Sequence, residues 1–398
     1  KKKNQIMTKQ IKDVFEFCEI VGRGGQYYIL KVKNKESGEH QALKVPYQSN
    51  QTNEYQLDVN IQQLLQNVQP VAYTMQGIQI ELNIGDVCLK ANQIIDCGDE
   101  KLIILDFMEK GDFSAALANE KFMKSLSFDQ KVTLSAQLLF MVHTSHSYDI
   151  ILSDIKPANI LISNEGGLVF TDLATIGIKQ HQQEILSKQS SEDRDWLYQI
   201  ANYQSEETEQ EVAPAPKPSE SSADPMFKPN DNIKRKRMAD TLLKTCKFRL
   251  VHSMGYSAPE VYTAKVHMCA SDYFSLGVCI YQIFLGANPF RPESPHLSQV
   301  QFEMYLENVL HKEAEFPSNF DKNAADLIAK LLTKDPTNRL VDFQQVCEHP
   351  LFSGVKWDQI MDQMVFKDYK AAGYDVEWDK AKLGPLISQM FESELQSD

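Results

Sequence analysis

The stretch Asp154-Ile155-Lys156-Pro157-Ala158-Asn159-Ile160-Leu161, with Asp172-Leu173-Ala174 further on, decides how this chain is read. It gathers a carboxylate, a lysine, an amide and a second carboxylate. Asp154 and Asn159 lie five positions apart (159 − 154), and Asp154 and Asp172 eighteen (172 − 154). Phosphoryl transfer asks for that inventory: a base beside the incoming hydroxyl, a cation on the transferring group and oxygen ligands for Mg²⁺.

Upstream, Val21-Gly22-Arg23-Gly24-Gly25-Gln26-Tyr27-Tyr28-Ile29 precedes Ala42-Leu43-Lys44, and Lys44 follows Gly22 by twenty-two positions (44 − 22). Small residues let a strand-turn-strand press its backbone against phosphates. Taken alone the glycine run reads as a hairpin turn; the lysine and the downstream run turn it into a phosphate loop. Four further anchors follow in order: Gly255-Tyr256-Ser257-Ala258-Pro259-Glu260, Ser271-Asp272-Tyr273-Phe274-Ser275-Leu276-Gly277-Val278, Asp335-Pro336-Thr337-Asn338-Arg339 and His349-Pro350-Leu351-Phe352.

This ordered set, over residues 13 to 357, resembles the eukaryotic protein kinases. The lysine two places after Asp154 is the form seen in the serine/threonine kinases. The resemblance implies an α+β, two-lobed fold: a β-rich N-lobe with one main helix at 13–107 and a larger, mainly α-helical C-lobe at 108–352. An N-terminal tail at 1–12 and an aromatic-containing tail at 353–398 would flank them. It also implies ATP and Mg²⁺ as cofactors and a protein hydroxyl as substrate. Val21, Gly22, Gly24, Gly25, Ile29, Ala42 and Leu161 would surround the nucleotide, and Lys44 would pair with its α- and β-phosphates. Asp106 and Met108 would offer hinge backbone to adenine, with Leu105 as gatekeeper. Asn159 and Asp172 would hold the metal. Asp154 would accept the substrate proton, and Lys156 would neutralise the transferring group. Ser253 stands where the family hydrogen-bonds its catalytic loop, and Arg339 where it pairs with Glu260.

Secondary structure fits that expectation. Residues 15–21, 28–33, 40–45 and 102–107 read as strands. Between residues 51 and 68, Leu57, Ile61, Leu64, Leu65 and Val68 recur at helical spacing. His143 and His146 read as hydrogen-bonded structural histidines rather than metal ligands. The 398 residues are 42% hydrophobic, enough for a sizeable core. A formal charge of −13 argues against a nucleic-acid partner. No apolar run reaches membrane-spanning length, so no membrane partner is expected. Seven scattered cysteines without a CxxC pair read as reduced thiols of a cytoplasmic protein, with cytoskeletal or nuclear association left open. The chain starts without Met, as a piece of a longer protein would.

Eighty-eight positions separate Asp172 from Glu260 (260 − 172). Residues about 182–237 form a low-complexity insertion, rich in Glu, Ser, Gln and Pro and closed by Lys234-Arg235-Lys236-Arg237. Such a composition buries too little apolar surface to order itself. It could occlude the substrate groove or bind a protein partner. The basic tetrapeptide reads as a nuclear signal, a complement to the acidic run or solvated charge. In the C-terminal tail Trp357, Phe366, Tyr369, Tyr374, Trp378 and Phe391 imply packing against the lobes or against a protein partner.

Some positions depart from the family pattern. Tyr27 stands at the third glycine of the loop, Leu152-Ser153 replaces His-Arg before Asp154, and Ala174 replaces the glycine after Asp172. The acidic partner of Lys44 is Asp58 or Glu54. A serine/threonine kinase is the first reading. A pseudokinase-like interaction protein, held in a larger assembly and still binding nucleotide, is the second. Residues 253–260 argue against a small-molecule kinase.

Overall fold

In the computed structural model the described residues are 11–23, 27–46, 53–66, 68–75, 78–97, 101–173, 177–178, 253–264, 266–291, 298–371 and 387. The insertion at about 182–237, Ala174, Tyr374, Trp378 and Phe391 lie outside them.

The N-terminal part is built on β1 (Phe15–Arg23), β2 (Tyr27–Asn34), β3 (His40–Pro46), β6 (Gln93–Asp96) and β7 (Lys101–Asp106), in the antiparallel order β1-β2-β3-β7-β6. Period-two alternation gives the sheet two apolar faces. Tyr28, Leu30, Val32, Leu43, Val45, Leu102 and Ile104 point to the outer face, where Ile11 and Phe15 cover them. Val21, Ala42, Ile103 and Leu105 point to the inner face, toward α1 (Asn53–Leu65). The expected tail at 1–12 is therefore too long by its last residues. Residues 11–14 form a helical turn whose Ile11 is 2% exposed, because the outer face needs an apolar cover.

A hairpin that the sequence reading did not anticipate follows α1: β4 (Val71–Met75) pairs with β5 (Ile78–Leu82). Its Tyr73 ring packs edge-on against His143 at 4.5 Å, and Tyr148 Oη donates to the carbonyls of Gln69 and Leu82. After the short α2 (Ile84–Val87), Leu89 N–H donates to the carbonyl of Phe170. The hairpin thus ties the end of α1 to the helical lobe.

That lobe comprises α3 (Phe113–Ala118), α4 (Glu120–Ser125), α5 (Phe128–Ser147), α6 (Pro259–Thr263), α7 (Cys269–Leu285), α8 (Gln299–His311), α9 (Lys322–Leu331) and α10 (Phe343–Cys347). Ser127 and Gln130 close a capping box on α5 and so satisfy its first amides. α7 is apolar on nearly every side and is the buried axis of the lobe. A Cβ at Gly277 would come within 2.9 Å of Leu331 Cβ, so only glycine lets α9 approach α7 this closely. Between the lobes run β8 (Ile150–Ile151) and the hairpin of β9 (Ile160–Ile162) and β10 (Leu168–Phe170). β8 pairs with β11 (Gly177–Ile178).

The segment expected as a tail from 353 is, through residue 371, part of the helical lobe. Trp357 and Ile360 are buried, and Phe366 and Tyr369 join Phe113 and Phe122 in one aromatic cluster. Gly166 O accepts from Phe366 N–H at 3.0 Å, and Lys110 Nζ donates to the carbonyls of Lys367 and Tyr369. These aromatics pack on the protein's own lobe. Ile387 packs against the outer face of the N-lobe sheet.

Glu260 and Arg339 form the expected pair. Arg339 Nη1 and Nη2 donate to the two carboxylate oxygens at 2.7 and 3.1 Å, with both side chains fully buried. Ser271 Oγ adds a bond to the same carboxylate, and Arg339 also donates to the carbonyls of Thr333 and Ala270. Removing one partner of such a pair strands the other charge in the core. Arg339→Met is therefore expected to lower unfolding free energy by about 3–5 kcal/mol in a urea titration. A loss within the error of the wild type would contradict this.

Candidate active site

Asp154 lies in the loop after β8, which α7 holds from below. The Asp272 carboxylate on α7 accepts from the backbone N–H groups of Leu152 at 2.8 Å and Ser153 at 2.9 Å, and it bonds His146 Nε2 at 2.7 Å. These bonds hold Ser153 at φ 65°, a left-handed conformation that costs a non-glycine residue on the order of 1 kcal/mol. Leu152 is buried at 1% exposure and fills its position by packing alone. His146 is structural, as expected. His143 also belongs to the core, its ring stacked on Phe343 with centroids 3.8 Å apart.

Within the loop, Asp154 Oδ2 accepts from Lys156 Nζ at 2.7 Å and from Asn159 Nδ2 at 3.0 Å. Asp154 Oδ1 is buried without a hydrogen-bond partner. Lys156 Nζ also donates to Ser253 Oγ at 2.8 Å, which joins the segment at 253–260 to the Asp154 loop as the resemblance implied. Asp172, after β10, sits at φ 61°, which turns its carboxylate back toward the cleft. Burial raises its pKa, Lys44 opposes that, and Asp58 and Asp154 add to it.

On the opposite wall, Lys44 of β3 is 4% exposed and meets Asp58 of α1, Nζ to Oδ2 at 2.5 Å. Of the two acidic candidates the structure brings Asp58 to Lys44; the side chain of Glu54 lies outside the described residues. Burial opposes the lysine's charge, but Asp58, then Tyr27 and Asp172, hold its pKa above the ordinary value. Tyr55 Oη donates to the carbonyls of Lys44 and Lys101, which braces α1 against the sheet.

Val21, Ala42 and Leu105 line one apolar cluster with Val169, and Ile29, Met108 and Leu161 pack against it. The sequence-expected nucleotide residues therefore converge between β1–β3 and β9–β10. Gly22 faces Ile29, whose Cβ would lie 3.3 Å from an added Cβ. Asp106 ends β7, and its side chain accepts from Asn92 Nδ2 at 2.6 Å, facing away from the apolar cluster. Gly24 and Gly25 lie outside the described residues.

Sequence alone marks Tyr27 only as a residue at a glycine position, yet its side chain lies between Lys44 and Asp172. Its ring centroid lies 3.5 Å from Lys44 Nζ, and its hydroxyl donates to Asp172 Oδ1 at 3.3 Å. The signal was available in the pairing period. With Tyr28, Leu30 and Val32 on the outer face, Tyr27, Ile29 and Lys31 must face inward.

Among known proteins, the protein kinase domain family matches residues 15–195 and 238–352. The chain is 24% identical over 263 residues to phototropin-1A of Oryza sativa subsp. japonica, covering 65% of this chain and 24% of that protein. It is 25% identical to the serine/threonine-protein kinase WAG2 of Arabidopsis thaliana, covering 67% of this chain and 52% of the relative. A RAC family serine/threonine-protein kinase homolog of Dictyostelium discoideum is 23% identical, covering 88% and 60%. The match to each of these relatives thus spans less than two thirds of its length.

The His146–Asp272 contact predicts a pH dependence. Burial opposes the imidazolium, but Cys269 and Asp272 more than offset it and push His146 up to about 9. An unfolded histidine titrates near ~6.5. The folded state therefore holds the proton more tightly. The stabilisation is complete below the unfolded value and fades as pH rises through the folded one, amounting to roughly 3 kcal/mol. In urea titrations, His146→Gln is expected to fall well below wild type at about pH 6 and to approach it at about pH 9.5. A pH-independent gap would contradict the assignment.

Proposed function

The chain belongs to the protein kinase family, and on that premise we propose that it is a serine/threonine protein kinase that transfers the γ-phosphate of ATP to protein hydroxyls. The observation that carries this reading is the arrangement around Asp154. One carboxylate oxygen is occupied by Lys156 and Asn159, and the other, Oδ1, carries no hydrogen bond. An ionised carboxylate with one uncommitted oxygen orients an incoming hydroxyl and accepts its proton as the new bond forms.

The other residues divide the remaining work. Lys156, already beside Asp154, supplies positive charge to the transferring group. Lys44, kept cationic by Asp58, pairs with the α- and β-phosphates. The apolar cluster of Val21, Ala42, Leu105 and Leu161 takes adenine between the sheet and β9. The backbone of Asp106 and Met108 supplies the polar contacts at its edge. Asn159 turns its Nδ2 to Asp154, which leaves its amide oxygen, with the Asp172 carboxylate, as hard oxygen donors of the kind Mg²⁺ takes. Bound there, Mg²⁺ would neutralise charge on the phosphates. The chain's own contribution is positioning and charge placement on rigid elements rather than covalent chemistry.

The alternative of a scaffold that has lost catalysis gains nothing from this geometry, because Lys44, Asp154, Lys156, Asn159 and Asp172 all stand in one cleft. Ser153, at the position of the missing arginine, offers no cation to an activation-segment phosphate. Activity is therefore proposed not to require one.

Asp154→Asn keeps the shape of the loop and removes the base. Its kcat should fall about 10²–10⁴-fold, while ATP affinity measured by calorimetry stays within about threefold. An Asn variant as fast as wild type would overturn the reading.

A further inference from the structure

The groups proposed to hold phosphate and metal already have an occupant. The Tyr27 ring covers Lys44 Nζ at 3.5 Å, and its hydroxyl reaches Asp172 Oδ1 at 3.3 Å, so one side chain spans the gap between the two. A phosphate oxygen needs to come within roughly 2.7–2.9 Å of an ammonium. It has no room on the face of Lys44 that the ring covers. Lys44 makes its other contact, to Asp58, on a side the ring does not cover. The ring therefore does not disturb the ion pair that positions α1; it competes only for the ligand side of the lysine.

The occupant is built in rather than casually placed. Tyr27 opens β2 and is paired in register with Pro46, which fixes its side chain on the inner face. Behind it stands the Tyr55 ring, at 6.4 Å and 49°, itself tied to the backbone of β3 and β7. The cation beneath the ring is desolvated, which strengthens a cation–π contact.

Resting on the kinase reading above, we propose that Tyr27 is the resident occupant of the phosphate subsite and a determinant of ligand specificity there. Ligands bearing phosphates bind only by displacing its ring. Ligands confined to the adenine pocket bind beside it. The consequence is a selective tax on phosphate-bearing ligands, which sets nucleotide affinity without altering any group that performs the transfer.

The test is titration calorimetry of ATP, ADP and adenosine, with and without Mg²⁺, on the wild type, Tyr27→Gly and Tyr27→Phe. Circular dichroism and thermal melting verify that each variant is folded. Tyr27→Gly should tighten ATP and ADP about ten- to hundredfold and leave adenosine within about twofold. Tyr27→Phe keeps the ring over Lys44 and loses only the bond to Asp172, so it should fall between the two. Equal effects on all three ligands, or no gain for ATP in either variant, would overturn the proposal and leave the kinase reading standing. If no variant binds adenosine or ATP, the nucleotide site itself is misassigned, and the proposal falls with it.

Discussion

The cleft is organised by one carboxylate that touches no substrate. Asp272, on the buried axis α7, takes two backbone N–H groups of the catalytic loop and the imidazole of His146. A bare carboxylate at 1% exposure would be costly, and three hydrogen bonds supply what burial takes away. In return Ser153 is held in a left-handed conformation that it would leave if free, and Asp154, the next residue, keeps one carboxylate oxygen without a hydrogen bond. Leu152 contributes only apolar packing. The polar side chains that the family keeps before the aspartate are thus dispensable to the loop's shape, because the bonds that make it are backbone bonds.

Two further buried ion pairs bridge separate elements. Lys44–Asp58 joins the sheet to α1, and Glu260–Arg339 joins α6 to the turn after α9. Buried pairs of this kind contribute little net stability against an apolar replacement, but leaving one partner alone is costly. Their value is geometric. Each favours one arrangement of the elements it bridges. The β4–β5 hairpin adds an apolar version of the same device, with Tyr73 against His143 fixing the region after α1 on the helical lobe.

Motifs whose chemistry depends on local spacing were legible in the sequence. Asp154, Lys156 and Asn159 sit in one short loop, and Lys44 and Asp172 face each other across Tyr27 in the same cleft. The Glu260–Arg339 pair and the Lys156–Ser253 bond followed from the same ordered set. What sequence spacing left open were contacts decided by which face a side chain takes. Asp58 and Glu54 lie on one helix, and only the docking of α1 brings Asp58 to Lys44. Tyr27 was visible as a large residue in a glycine position, but its role depends on the inward face of β2. The β4–β5 hairpin was hidden because Val71-Ala72-Tyr73-Thr74-Met75 is short and begins soon after α1 ends at Leu65. Trp357, Phe366 and Tyr369 were read as sticky, and whether they bind the protein itself or a partner is a question of shape that composition does not carry.

The central claim is that the complete set of groups around Asp154 makes this chain a catalyst for serine and threonine hydroxyls. The most direct measurement incubates the purified protein with γ-labelled ATP and Mg²⁺ and three peptide pools, in which the only hydroxyl is serine, threonine or tyrosine. The account predicts label on the serine and threonine pools and none above background on tyrosine. Saturable ATP binding with no label on any pool, or on the protein itself, would contradict it.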